Sequence, residues 1–302
     1  MTHLADPSLV NYYAFGIGIR SVLPLPDLTP ADQAAPDLTI RMGRVDPPSP
    51  QSGIAAGTFW SANGNHLYLH WDDVGTFLVR GGSEIVIDPV PAASQRELGY
   101  FLVGPPLAAL LHQRGSLVLH ASAVTTPCGA VLFMGDSGWG KSSVAAAFYQ
   151  RGYPVISDDI CAIRATGDES MIFPGFSVLH LWPESAAVLA GGRELMRVHG
   201  HSEKRCLPVP HNFSIDPLPL RRIYLLDEAE TQGLVAMAAA RACVQLIRHT
   251  YMYKSFGISE IRSNFHHCAA LSDQIPVARL SMSWVLGALP ELVDLIETDL
   301  DE

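Results

Sequence analysis

The sequence has few charged residues, and basic residues are the scarcer kind. Only 17% of its 302 residues are charged, and 30 Asp and Glu against 20 Lys and Arg give a formal net charge of −10. A protein that binds nucleic acid or an anionic membrane through general electrostatics normally carries a basic surface. We therefore expect neither nucleic acid nor a membrane among its partners. With 48% hydrophobic residues, the composition also argues against extensive disorder.

Cysteine is scarce, and long apolar runs are missing. The five cysteines are scattered, odd in number and without C-x-x-C spacing, which is typical of reduced thiols and not of a disulfide framework or a zinc site. Pro, Gly or charge interrupts every apolar stretch before the roughly 18 residues that span a bilayer. The N-terminus shows no basic segment followed by an apolar core, the pattern of a signal peptide. We expect a cytoplasmic protein.

Against this background one segment stands out, a glycine-rich motif at residues 135–142. Its residues match G-x-x-x-x-G-K-[ST] at every fixed position: Gly135, Asp136, Ser137, Gly138, Trp139, Gly140, Lys141 and Ser142. The apolar residues 130–134 before it predict a buried strand, and residues 143–150 after it predict a helix. A fortuitous glycine-rich turn is the alternative, and both flanks argue against it.

A strand, a glycine loop and a helix in this order make a phosphate cradle. Backbone N–H groups close around the anion, and the positive end of the helix dipole points at it. Lys141 can reach the β- and γ-phosphates, and the Ser142 hydroxyl can bind magnesium. We therefore predict a nucleotide site formed by residues 135–142 together with Ser143, with ATP and Mg²⁺ as the ligands.

Two further positions supply candidate catalytic groups. Asp158 and Asp159 follow a short apolar strand, 16 and 17 residues after Ser142, where a carboxylate would return beside the loop if the two strands pair. One aspartate could bind magnesium while the other faces an acceptor hydroxyl; a plain turn or helix cap is the alternative. His120 ends an apolar strand upstream of the loop and could hold an aspartate or the γ-phosphate, although a lone histidine there is more often a core residue.

Positive side chains further along the chain are candidates for phosphate or acceptor contacts. Lys204 and Arg205 lie in a stretch that resembles a loop, between two predicted elements. For this dipeptide a solvated surface position and a functional one are equally compatible with the sequence. Trp139, at a nearly free position of the loop, could cover the nucleotide or pack on a neighbouring subunit, so a homo-oligomer stays open.

The motifs together resemble a known family. His120-Ala121-Ser122-Ala123-Val124, the glycine loop, Arg151-Gly152-Tyr153 and Asp158-Asp159 look like the catalytic core of the HPr kinase/phosphorylase family. The wider chain, with Pro174-Gly175-Phe176 and Leu181-Trp182-Pro183, is similar to HPr-kinase-related proteins, many of which accompany peptide-modifying systems such as lasso-peptide biosynthesis.

The resemblance implies specific roles. Asp158 would be the general base on the acceptor hydroxyl, with His120 beside it at the γ-phosphate. Lys141 would bind phosphate, and Ser142 with Asp159 would hold magnesium. The family pattern places a glutamate directly after the loop serine, where this chain has Ser143, and the downstream arginine- and glycine-rich signature for binding HPr is not found. The resemblance therefore extends to the core chemistry and not to HPr as the substrate.

The expected architecture is an α/β fold with a P-loop kinase core of the HPr-kinase/phosphoenolpyruvate-carboxykinase-like type, preceded by a β-rich N-terminal domain. We place an accessory or docking domain at residues 1–93, with strands at residues 12–19 and 38–42 and a meander over residues 66–87, and the catalytic domain at 94–302. The expected activity is ATP-dependent phosphorylation of a serine in a peptide or small protein. Precursors of peptide natural products are among the candidate acceptors. Two alternatives stay open: a small-molecule or carboxykinase-like enzyme on the same core, and a non-enzymatic regulator that senses ATP.

Overall fold

A computed structural model describes residues 9–32, 36–46, 59–62, 65–198, 202–211, 213–229, 232–282 and 285–301. The fold is mixed α/β, with three sheets in these described ranges and two compact units. The first unit comprises residues 1–116 and 254–260, and the second comprises residues 117–253 and 261–302. Among the helices in the described ranges, none combines the length and the apolar character that crossing a bilayer requires. The thiols of all five cysteines are free.

The first unit is built on an eight-stranded sheet with two helices. The strands are β1 (Val10–Ala14), β2 (Ile17–Ser21), β3 (Thr29–Pro30), β4 (Leu38–Met42), β5 (Phe59–Ala62), β6 (His66–Trp71), β7 (Gly75–Arg80) and β8 (Glu84–Pro89), and the helices are α1 (Gln95–Leu102) and α2 (Pro105–Gln113). The order across the sheet is β3-β1-β2-β4-β8-β7-β6-β5. The neighbours β2, β4 and β8 run parallel, whereas β6, β7 and β8 form the antiparallel meander that the turn residues predict.

The first hairpin departs from the sequence prediction. Residues 12–19 do not form one strand, because Phe15 and Gly16 both adopt a left-handed conformation (φ 54° and 71°) and reverse the chain between β1 and β2. Two consecutive left-handed residues make the tight turn whose twist suits a β-hairpin. An aromatic residue at the first position gives little sequence signal for this turn, and Phe15 is fully buried.

The second unit contains the larger sheet and five helices. Its strands are β9 (Leu117–Leu119), β10 (Ala121–Thr126), β11 (Gly129–Met134), β12 (Val155–Ser157), β13 (Cys161–Thr166), β14 (Glu169–Phe173), β15 (Val178–Leu181), β16 (Arg205–Pro208), β17 (Leu218–Glu228), β18 (Gly233–Ala236) and β19 (Val277–Met282). Its helices are α3 (Lys141–Gln150), α4 (Pro183–Leu189), α5 (Ala239–Arg248), most of α6 (Ile258–Gln274) and α7 (Leu289–Asp301).

Strand β11, which leads into the glycine loop, is buried on both faces. Val131 and Phe133 point into one apolar cluster with α3, α4 and α7, whereas Leu132 and Met134 point into another with α5 and α6. A strand covered by helices on both sides needs apolar residues at every position, which is why the sequence reads as a continuous hydrophobic run. Strand β11 pairs in parallel with β17, and β17 pairs in parallel with β19.

The strand order corrects one step of the sequence argument. The order begins β12-β10-β11, so β12 does not pair with β11, and β10 lies between them, antiparallel to both. Strands β12 and β11 therefore point in the same direction and end at the same edge of the sheet. The carboxylates after β12 consequently arrive next to the glycine loop although the two strands do not touch.

Helices α1 and α2 belong to the first unit, whose longer segment runs to Ser116. Helix α1 begins with a capping box, in which the Ser94 side chain bonds to the Glu97 N–H and the Glu97 carboxylate bonds to the Ser94 N–H. Helix α2 begins at Pro105, because a proline suits the first turn of a helix and not its interior.

Candidate functional site

The glycine loop connects β11 to α3 through two left-handed residues. Gly138 and Gly140 have φ values of 86° and 75°, a backbone region that residues with a Cβ atom seldom adopt. Gly140 is the N-cap of α3, and within the described chain no side chain caps its first turn. The first N–H groups of α3 therefore point out of the loop without a helical partner, as an anion-binding helix terminus requires.

Lys141 lies in the first turn of α3 and folds over the loop. Its Nζ donates hydrogen bonds to the carbonyl oxygens of Gly135 (2.9 Å) and Asp136 (3.1 Å), and the residue is only 6% exposed. Burial lowers the pKa of Lys141, and the nearby charges of Asp159 and Asp158 act in the opposite direction. The result is a cation held at the mouth of the anion-binding loop.

Asp158 is buried and its carboxylate is fully engaged. Oδ1 accepts hydrogen bonds from the hydroxyls of Ser122 (2.5 Å) and Ser142 (2.9 Å), and Oδ2 accepts one from the backbone N–H of His180 (2.8 Å). The residue is 2% exposed. Three donors satisfy an ionised carboxylate in the interior, where an unpaired charge would be strongly destabilising. Asp158 therefore ties the glycine loop to β10 and β15.

Asp159, the next residue, has a left-handed backbone (φ 64°), and its carboxylate has other partners than that of Asp158. Its Oδ2 lies 3.3 Å from His180 Nδ1 and 3.7 Å from Lys204 Nζ. Burial would raise the pKa of Asp159, but the hydrogen bond from His180 and the charge of Lys204 outweigh it and hold the pKa below its usual value. For the cationic His180, burial alone would lower the pKa, but the hydrogen bond to Asp159 outweighs this effect and raises the pKa to about 10.

His120 approaches Asp159 from β9. Its Nδ1 donates to the Asp159 carbonyl oxygen at 3.1 Å and lies 4.0 Å from Oδ1 of the same residue. Because a carbonyl only accepts, the proton of a neutral His120 ring sits on Nδ1, and Nε2 keeps its lone pair. Burial and the charge of Lys141 lower the pKa of His120, which favours this neutral form. His120 can therefore accept a proton at Nε2.

Three side chains in this cluster are close enough to share a metal ion. The ligand atoms of Asp158, Asp159 and His180 all lie within 4.8 Å of one another, and the Ser142 hydroxyl bonds to Asp158. His180 Nδ1 carries the proton that it donates to Asp159, so the donors that fit a cation are the two carboxylates and the Ser142 hydroxyl. An all-oxygen set of this kind suits Mg²⁺.

A narrow cleft of about 30 Å³ brings most of the predicted residues together. Its walls include His120, Ser137, Lys141, Asp159 and Lys204. The structure separates the pair Lys204-Arg205. Lys204 reaches the cleft and also lies over the Trp182 ring (5.9 Å to its centroid), whereas Arg205 is not among the cleft residues and donates to the Glu203 carbonyl at the start of β16.

Two larger cavities flank the glycine loop. One, of about 260 Å³, is lined by Gly138, Gly140 and Ser143 together with apolar residues that include Trp182 and Leu286. The Ser143 hydroxyl donates to Ser185 (2.8 Å), so the serine at the family's glutamate position connects α3 to α4. The other cavity, of about 820 Å³, lies on the side of Asp136 and Trp139.

Two residues of this cluster, His180 and Ser122, are not among the site residues predicted from the sequence. His180 reaches Asp158 and Asp159 because β15 pairs with β16, a contact between segments that are distant in the sequence. No local pattern marks it. Ser122 could have been found from the sequence, because it lies within the His120–Val124 stretch and is a polar residue between Ala121 and Ala123 in a buried strand.

Comparison with solved structures finds distant similarities. The chain is similar to the solved structure of the Hpr(Ser) kinase/phosphatase from Coxiella burnetii, with 13% sequence identity and a TM-score of 0.33. The match covers 61% of this chain and 97% of that one. No protein-family model and no curated protein matches the chain. A likeness this weak carries no argument, so any functional conclusion rests on the residues described above.

Proposed function

We propose that this protein is an ATP-dependent phosphotransferase that moves the γ-phosphate of ATP to the hydroxyl of a serine in a peptide or small protein. One observation carries the proposal. The loop serine Ser142 is hydrogen-bonded to Asp158, while Lys141, Asp159 and His120 line one cleft beside the same loop. Phosphoryl transfer needs positioned phosphates, compensation of charge and a group that aligns the attacking hydroxyl, and this cluster offers all three.

The glycine loop would bind the phosphates. The free N–H groups at the start of α3 and the Lys141 ammonium would hold the β- and γ-phosphates, and Lys204 adds positive charge beside the cleft. Ser142, Asp158 and Asp159 would hold Mg²⁺, which supplies charge neutralisation when bound. The buried Ser142–Asp158 bond keeps these oxygens in place.

The transfer itself depends on the groups that face the acceptor hydroxyl. The acceptor oxygen forms a bond to the γ-phosphorus as the bond to the ADP oxygen breaks, and the hydroxyl proton passes to the protein. The resemblance assigns that proton to Asp158. Because Asp158 is buried and accepts from three donors, we favour different roles for these residues. Asp158 positions the loop, and Asp159 and His120 face the acceptor. His120 Nε2 would accept the proton, and the Asp159 carboxylate would orient the acceptor hydroxyl.

A labelled-phosphate assay tests the proposal. The protein is incubated with [γ-³²P]ATP, Mg²⁺, a library of serine peptides and, separately, a metabolite extract. We expect label on serine, loss of nearly all transfer in Asp159→Asn, and no change in Asp168→Asn, which alters an exposed aspartate in a β-turn. Label that appears only on a metabolite would identify a small-molecule kinase. ATP binding without transfer, unaffected by Asp159→Asn, would identify a regulator.

A further inference from the structure

One face of helix α5 lines the cavity of about 820 Å³ beside the glycine loop. Arg241, Val244, Gln245 and Arg248 follow the spacing i, i+3, i+4 and i+7, and all four border the cavity. The opposite face of the helix is buried in the core of the second unit through Ala242, Cys243 and Leu246. Helix α5 therefore has one face for the core and one face for the cavity, and we call this space the α5 cavity.

The α5 cavity adjoins the cleft of the reactive groups. Two of its lining residues, Asp136 and His249, accept hydrogen bonds at their backbone carbonyls from residues of that cleft. The Asp136 carbonyl accepts from Lys141 Nζ (3.1 Å), and the His249 carbonyl accepts from the His120 N–H (2.8 Å). A molecule in the α5 cavity thus lies against the residues that surround the γ-phosphate in the proposed function.

The charges of the α5 cavity oppose those of the chain as a whole. Arg241 and Arg248 are exposed on its α5 wall, and Arg279 contributes a third guanidinium, 3.5 Å from the Asp227 carboxylate. Asp136 is the other acidic residue of the lining. An excess of arginine in a protein of net charge −10 is complementary to acidic side chains.

The smaller cavity suits the nucleoside better. It borders Ser143, at the start of α3, and its remaining walls include Trp182 and Leu286, which offer apolar surface for a planar base. The α5 cavity is about three times larger (about 820 Å³ against 260 Å³) and borders other residues of the loop, Asp136 and Trp139. A phosphate chain held by the loop would therefore leave the α5 cavity to the second substrate.

We propose that the α5 cavity is the acceptor site and that the acceptor is a peptide segment with acidic side chains next to its serine. This inference rests on the proposed function and specifies its substrate class. Arg241 and Arg248 would pair with the acidic side chains, and Val244 between them would contact the peptide backbone or an apolar side chain.

A steric block gives the first test. Val244→Trp fills the α5 cavity from an exposed position (55% exposed), so the fold should tolerate it. Val188→Trp is the matched control, because Val188 is 54% exposed on α4 and is not among the lining residues. With synthetic serine peptides as acceptors, we expect Val244→Trp to raise the peptide KM about tenfold or more and to leave the Kd for ATP unchanged, while Val188→Trp changes neither.

A charge reversal gives the second test. Two peptides of equal length carry a central serine flanked by Glu or by Lys, and transfer to each is measured with the parent protein, with Arg241→Glu/Arg248→Glu and with the control Arg262→Glu on α6. The parent and the control should prefer the Glu peptide about tenfold or more, and the double variant should lose or invert this preference.

The outcomes separate this inference from the proposed function. Transfer to peptides without any effect of the α5 variants would overturn the acceptor site and leave the proposed function standing. A weaker Kd for ATP in Val244→Trp, with an unchanged peptide KM, would assign the cavity to the nucleoside and overturn the inference. Failure of the parent to phosphorylate any peptide, despite tight ATP binding, would overturn both the peptide acceptor and its site.

Discussion

The two units differ in what they bury. Among the described residues, the buried polar side chains of the first unit are Ser21 and Ser116, and the rest of its core is apolar. The second unit buries Lys141, Asp158 and His180, which carry ionisable groups, beside the glycine loop. Burial of such groups opposes folding unless partners satisfy them. Here Lys141 bonds to carbonyls of the loop and the His180 N–H bonds to Asp158, and such a concentration of satisfied ionisable groups indicates where chemistry takes place.

The difference also shows how charge is used in each unit. In the first unit, the ion pairs Arg41–Glu84 and Arg80–Glu84 lie at the surface of the sheet. In the second unit, the carboxylate of Asp158 accepts from two hydroxyls and a backbone N–H in the interior. Surface pairs contribute little free energy, whereas an interior network holds each of its members in one geometry. The comparison predicts that substitutions in the two units have different consequences.

The largest expected effect is that of Lys141→Ala. This change removes the buried cation that would compensate the charge of the γ-phosphate in the proposed function, so we expect phosphoryl transfer to fall about thousandfold, equivalent to about 4 kcal/mol. ATP affinity, measured by calorimetry, should fall at least tenfold. Lys254→Ala, at an exposed lysine of the first unit, is the control and should change neither quantity. Unchanged ATP affinity in Lys141→Ala would falsify the nucleotide site.

A core substitution in each unit sharpens the comparison next. Leu69 in β6 and Leu132 in β11 are both fully buried, so Leu69→Ala and Leu132→Ala should each destabilise their own unit by about 3 kcal/mol. Hydrogen exchange would report the loss on β6–β8 in one case and on β10, β11 and β17 in the other. ATP binding should weaken only in Leu132→Ala, because β11 leads into the glycine loop. Equal loss of ATP binding in both variants would contradict the assignment of the nucleotide site to the second unit.

The two adjacent aspartates allow a finer test within the second unit. Asp158→Asn places an amide NH₂ among donors, so we expect the free energy of unfolding to fall by about 2 kcal/mol. Asp159→Asn should also cost about 2 kcal/mol, because asparagine accepts a left-handed backbone well but lacks the charge that pairs with His180 and Lys204. The two losses should differ in their response to salt: 1 M salt should shrink that of Asp159→Asn, whose side chain faces the cleft, and leave that of the interior Asp158→Asn. Chemical denaturation at low and high salt measures both variants, and an equal response would remove the distinction between a positioning aspartate and one that faces the acceptor.

Features fixed by neighbouring residues were predictable from the sequence. The run of apolar residues, the glycines and the helix formers that follow predict β11, the loop and α3, and each lies where the pattern places it. Pro183 starts α4, since a proline suits the first turn and not the interior of a helix. The meander of β6, β7 and β8 follows from alternating apolar residues and the turn residues between them.

Features fixed by distant pairing were not predictable in this way. Strand β10 separates β12 from β11, and β15 pairs with β16 across a long insertion, so the position of His180 depends on contacts that leave no local pattern. The left-handed backbone of Asp159 is equally hidden, because an aspartate pair at a strand end gives no sign of which residue turns. The sequence thus predicts which residues belong to the site, and tertiary packing decides which of the two aspartates faces the cleft.

The smallest expected effect concerns a surface ion pair of the first unit. Glu84 in β8 bridges Arg41 and Arg80, and its carboxylate bonds to the Nε of both. The hydrogen bond from Arg80 lowers the pKa of Glu84 below its ordinary value of 4.5, despite the opposing influence of burial. An acid whose pKa is lower in the folded state stabilises the fold above the unfolded pKa, and this contribution is lost as the pH falls below about 4.5.

We therefore expect Glu84→Gln to lower the free energy of unfolding by less than about 1 kcal/mol at pH 7 and to have no effect once the parent's Glu84 is protonated. The difference between the two proteins at pH 7 should shrink further in 1 M salt, because exposed charges are screened. Chemical denaturation at pH 7 and pH 3 measures both trends. A loss of 2 kcal/mol or more that persists in salt would show that the first unit, too, depends on a charged network. The two units would then differ only in where their charged groups lie, at the surface or in the interior.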